Sequence, residues 1–246
     1  MRRGKLIEEM TWSEAEGCLN KEAVIVIPLG AAAKEHGLHL QLRNDWLIAE
    51  YLKEVILKQQ DVIILPTINY SYYPAFSEYP GSVSLSAETS ANMIYEICQS
   101  IAKFGVKKFY VLNTGISTLT PLKAAAQKLK NHGLVLQYTN LHEALDKLIE
   151  NLAAQDGGSH ADEIETSIML HIAPDTVCMD KARHDYIPGA QGHLIRTVQE
   201  GAAYSPSGVW GDATLATQPK GEKIVECLIK HIINDLDNLK QLAVSE

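Results

Sequence analysis

Three unbroken apolar runs set the rhythm of this chain: "AVIVIPL" at 23–29, "DVIILP" at 61–66 and "KKFYVLN" at 107–113. A fourth, "LVLQYT" at 134–139, is shorter. Runs without polar alternation predict strands buried on both faces, as in a parallel sheet. Between them, apolar residues at helical spacing predict helices at roughly 44–59, 88–104, 121–131 and 142–153, with a last one over about 220–241. Local punctuation agrees. Ser86 is a candidate cap with Glu88 in the first turn and Gly105 at the end; Thr120 precedes Pro121 at a first helical position, and Gly133 closes that helix. Alternating strands and helices predict an α/β fold with a mostly parallel central sheet covered on both faces, a single domain over residues 1–246.

Two long segments, 67–87 and 173–218, interrupt the alternation. Connections of that length in a compact domain are usually functional or sit between subunits. The first holds Tyr70, Tyr72, Tyr73 and Tyr79, so it is expected either to line a pocket or to pack on a neighbouring copy.

Composition narrows the picture. A formal net charge of −8 argues against unaided nucleic-acid binding and against a basic membrane-docking face. No run of residues approaches a membrane span, and "MRRGKLIEEM" lacks the apolar stretch of a signal peptide. Cys18, Cys98, Cys178 and Cys227 match no zinc or redox spacing and read as structural thiols, which points to the cytoplasm.

The chemistry gathers directly after the first strand, where "GAAAKEHGLHLQLRND" places Glu35, His36, His39 and Asp45 in one loop. Strand ends are where α/β proteins put their sites, and Glu, His and Asp are ligands for a divalent cation. A charged, solvated loop is the competing reading of this stretch taken alone.

The wider pattern resembles the creatininase (creatinine amidohydrolase) family. "IPLGAAAKEHGLHLQLRND" is similar to the family's opening motif, with His36 and Asp45 nine residues apart. "YPGSVSLS", "HADEIETSIMLHIAPDTV" and "SPSGVWGDATLATQPKGEKI" follow in family order, so the resemblance covers about 24–225. It implies a three-layer sandwich and hydrolysis of a non-peptide C–N bond in a small cyclic or formyl amide. It also implies divalent metal, zinc or manganese, one or two ions per chain. Asp45 would bridge, His36, Glu165 and Glu35 would ligate, and His160 would be the catalytic acid/base. Tyr73 and Ser82 are expected to touch the substrate, and a homo-oligomer, a hexamer as is typical of the family, is expected.

The chain departs from the family pattern twice. Lys34 stands two residues before His36, where the family has its Glu, leaving Glu35 as the nearest carboxylate. Gly115, in "NTGISTLTP", stands where the family has a ligating His. These departures keep open a degenerate member that binds a small molecule or serves assembly. Of the other polar residues, His39 reads as a supporting residue more than a ligand, and His171 as a core histidine. His184 and His193 carry no assigned role. Trp46 and Trp210 are either pocket walls or core, and "LNTGIST" is a weak candidate for presenting N–H groups and hydroxyls to an anion.

Overall fold

In the computed structural model, which describes residues 2–243, five parallel strands form the central sheet in the order β1-β3-β2-β4-β5. They are β1 (Lys5–Leu6), β2 (Val24–Leu29), β3 (Ile63–Ile64), β4 (Lys108–Asn113) and β5 (Val135–Tyr138). All six residues of β2 and of β4 are buried, which is why these strands read as continuous apolar runs. Strand alternation sorts them onto two cores. Val24, Val26, Tyr110 and Leu112 pack beneath α2 (Asn44–Gln59), α5 (Leu141–Leu152), α6 (Glu163–Ile172) and α7 (Gln218–Gln241). Ile25, Ile27, Phe109 and Val111 face α1 (Trp12–Cys18), α3 (Ala87–Ala102) and α4 (Leu119–Lys130). The result is the three-layer α/β sandwich expected from the pattern.

The expected helices appear within a few residues of their predicted limits. Ser86 caps α3 by accepting from Thr89 N, and Gly105 and Gly133 both adopt the left-handed conformation after their helices. Thr120 does not cap α4. The helix starts earlier, after Thr118, whose hydroxyl is turned onto Asn113 Oδ1 at 2.6 Å instead. The run at 61–66 contributes only Ile63–Ile64 to the ladder. The N-terminal β1 and α1 were not predicted, although "TWSE" carries the signal: Thr11 and Glu14 form a reciprocal capping box.

The two long segments fold over the carboxyl ends of the strands. Segment 173–218 forms two small sheets, β6 (His184–Asp185) against β9 (Gly211–Asp212) and β7 (Gln191–Ile195) beside β8 (Ala202–Tyr204). Tyr73, Phe76 and Tyr79 of the first segment pack with Leu194, Ala203 and Trp210 of the second, and Tyr79 Oη donates to Ser205 O at 2.7 Å. Among the described residues no helix is long and apolar enough to cross a membrane, and all four cysteines are free thiols.

Candidate metal centre and active site

The loop after β2 and the start of α2 bring Lys34, Glu35, His36 and Asp45 together at the end of the sheet, each less than a tenth exposed. Asp45 sits in the first turn of α2 and uses its two carboxylate oxygens differently. Oδ1 lies 2.7 Å from His36 Nε2, and Oδ2 lies 2.7 Å from Lys34 Nζ. Burial alone would raise the Asp45 pKa, but the Lys34 ammonium and His36 outweigh it and hold the carboxyl well below its usual range. Burial likewise opposes charge on Lys34, yet Asp45, Glu165 and Glu35 raise its pKa above the ordinary lysine value. Lys34 Nζ also stands 4.9 Å from the centre of the Phe76 ring and 5.7 Å from that of Tyr73.

Lys34 and His36 both reach Asp45, while Glu35 between them turns to other partners. The Glu35 carboxylate accepts from Gly37 N and stands 3.0 Å from His160 Nε2. It lies against Gly208, where a Cβ would collide with it. Although burial pulls the other way, His160 lowers the Glu35 pKa. Glu35 is therefore not among the donor atoms that converge with His36 and Glu165. It is the partner that orients His160.

His160 comes from the other half of the chain, just before α6, and its backbone bridges that of Trp210. Its Nδ1 stands 3.5 Å from Glu165 Oε2, and its ring lies 4.1 Å from Phe76 and 5.0 Å from His36. Burial disfavours the imidazolium, but Glu35 and Glu165 together raise the His160 pKa. Glu165 is positioned in the first turn of α6, which Asp162 caps by accepting from Ile164 N and Glu165 N. Ala161, between His160 and the cap, takes a left-handed φ of 46° and donates its N–H to Glu165 Oε2 at 2.6 Å. That backbone turn aims His160 and Glu165 at the same point.

Potential ligand atoms of His36, His160 and Glu165 all lie within 4.8 Å of one another. His36 Nδ1 faces Lys34 O at 2.9 Å, and a carbonyl only accepts, so Nδ1 carries a proton and Nε2 is the atom that meets Asp45 Oδ1. Two such atoms that close require a proton or a cation between them. His36, His160 and Glu165 are thus a group that could hold a divalent cation, with Asp45 beside His36.

Lys34, His160 and Glu165 line a cavity of about 420 Å³ whose walls include Phe76, Gly115, Ile116, Leu194 and Trp210. Trp210 is a pocket wall, as one reading of it held; Trp46 is not part of the lining. Tyr73 is packed beneath Lys34, and Ser82 Oγ accepts from Glu35 N at 2.9 Å, so both hold the site from behind rather than line the cavity. His39 is a support: burial lowers its pKa to about 4, and Nε2 meets Thr166 Oγ1 at 2.7 Å. His171 bonds Gln218 on the far side of α6, and His184 and His193 lie outside the ligand group. The "LNTGIST" loop lines the cavity but spends its hydroxyls internally, on Leu29 O, Tyr72 O and Gly115 O.

A family model, Creatininase (creatinine amidohydrolase), matches residues 8–236. The chain belongs to the creatininase family. Its relatives include the mycofactocin precursor peptide peptidase of Mycolicibacterium smegmatis, 28% identical over 82% of this chain and 79% of that one. The creatinine amidohydrolase of Pseudomonas putida is 22% identical over 93% of this chain and 96% of that one. A crystal structure of creatininase superposes with a TM-score of 0.80 at 21% identity, covering 97% and 98% of the two chains. Creatininase structures of this fold include a Zn–Zn form and an Mn form. This chain is thus a creatininase-family hydrolase.

Proposed function

We propose that this hydrolase cleaves an amide C–N bond in a small molecule or short peptide, with His160 as the acid/base that serves the leaving nitrogen. The observation that carries this reading is the placement of His160. It is held by Glu35 at 3.0 Å on one ring nitrogen, with the other turned toward Glu165 at the cavity floor.

His36, Asp45 and Glu165 would hold one divalent ion, which supplies Lewis acidity toward a carbonyl oxygen. The Glu35 carboxylate fixes the proton on His160 Nε2, so Nδ1 is the atom aimed at the donor group. Nδ1 is positioned to take a proton and return it to the departing nitrogen. Phe76, Leu194 and Trp210 wall the cavity and keep it apolar around that transfer.

Small cyclic and formyl amides remain the expected substrates. The peptidase among the relatives adds short peptides to the set to be screened. The test is a screen of lactams, formamides and short peptides with metal-reconstituted protein, read as amine release. Turnover that chelation abolishes supports the reading. Metal retention without turnover on any of these classes overturns it in favour of a binding or assembly role.

We also infer self-association, with the hexamer as the expected assembly. Leu38 and Leu42 on the loop after β2, and Tyr70 and Val83 on the segment 67–87, are exposed apolar residues. A monomeric sedimentation profile at micromolar concentration would remove this inference.

A further inference from the structure

Lys34 is the residue that the proposed chemistry leaves unused. It is 4% exposed, and its ammonium touches one oxygen of the carboxylate whose other oxygen faces the ligand group. We propose that the Lys34 ammonium takes the place of a second metal ion, so that the centre holds a single divalent cation and Asp45 bridges that cation and Lys34 Nζ. This rests on the metal-dependent reading above.

Three observations converge on it. The first is location. Lys34 Nζ stands on the Asp45 oxygen remote from His36, where a bridging carboxylate would meet a second ion.

The second is charge. Asp45, Glu35 and Glu165 bring three carboxylates to the site, and the Lys34 ammonium stands 2.7 Å from the first of them. One ammonium and one dication match these three carboxylates in number of charges. A second dication beside Lys34 would leave uncompensated positive charge in a buried pocket, which is strongly disfavoured.

The third is the surroundings. The ammonium lies over the faces of Phe76 and Tyr73, which suit an organic cation and offer a metal ion no ligand. Gly115, on the wall of the same cavity, offers no side chain either. The same residue also serves the remaining ion. The Lys34 carbonyl faces His36 Nδ1 and so directs Nε2 toward the ligand group.

The experiment uses the whole chain, stripped with a chelator, loaded with Mn²⁺ and desalted. Metal is then counted by elemental analysis, and the bound manganese is observed by electron paramagnetic resonance. The expected result is about one Mn²⁺ per chain with the spectrum of an isolated ion. About two per chain with a spin-coupled spectrum overturns the proposal and leaves the hydrolase reading standing. No retained ion overturns both.

Variants then test the residue itself. Lys34→Glu combined with Gly115→His is expected to raise the count toward two. Gly115 is outside the left-handed region, and a Cβ there meets Thr118 Oγ1 at 3.1 Å, so the change needs that side chain to give by a few tenths of an ångström. A count still at one shows that Lys34 is not what excludes the second ion. Lys34→Met should lower the melting temperature of the metal-free protein and recover more of it on adding Mn²⁺ than the unmodified chain does. Equal recovery in the two proteins counts against the proposal. If either variant fails to fold, the count on the unmodified chain still decides.

Discussion

The two oxygens of Asp45 face two differently built halves of one site. On the Oδ1 side, His36, Glu165 and His160 bring donor atoms close to one another, the last two on the cavity wall. On the Oδ2 side, a lysine ammonium is packed over aromatic rings and nothing further is offered. Both halves solve the same electrostatic problem, the burial of a carboxylate. One does so with a fixed covalent cation, the other with a cluster whose charge is completed only by a bound ion. The first half stabilises the fold, and the second leaves reactivity available.

Removing the carboxylate common to both halves is the harshest way to break the comparison. Asp45→Ala should remove nearly all bound metal and leave Lys34 buried without its partner, at a cost of about 3–5 kcal/mol of stability. Elemental analysis and denaturant titration on one sample check both parts. Unchanged metal content would mean that the donor half is misplaced.

His160→Ala acts on the donor half alone. It should lower turnover by about 10²–10⁴-fold while leaving the fold intact, read as kcat on whichever amide the screen finds. Glu35→Gln is milder. It keeps the shape against Gly208 and the Gly37 contact but loses the charge that orients His160, so turnover should fall about 10–100-fold with metal content retained. A loss of metal on Glu35→Gln would return Glu35 to the ligand set.

The smallest effect is reserved for a control that touches neither oxygen. Asp162→Ala deletes the cap of α6 and should cost about 0.5–2 kcal/mol, seen as a lower melting temperature. Full occupancy of the ion in that variant would show that Glu165 is held by the packing of α6 rather than by its cap.

Much of this molecule was readable from the chain. The apolar runs predicted β2 and β4, because strands buried on both faces must be apolar throughout, and the shorter run predicted β5, of which only Leu136 is buried. The His36–Asp45 interval and the "HADEIETS" block named residues that the fold brings together. Two readings failed for local reasons. Thr120 resembled a cap, but the loop ahead of it used Thr118 to close on Asn113 and started the helix sooner. Ser82 was expected at the substrate, yet it faces the backbone of Glu35.

The sequence by itself determined the order of the elements, the faces they bury and the identity of the titratable groups. Those follow from periodicity and from residue type, which are properties of neighbours along the chain. Tertiary structure alone decided which charge neutralises which. Glu35 and His160 are 125 positions apart and meet at 3.0 Å, while Glu35 and His36 are adjacent and turn to different partners. Lys34 looked like a missing ligand and is instead a counter-charge, because a buried carboxylate must be compensated by whatever cation the fold brings within reach.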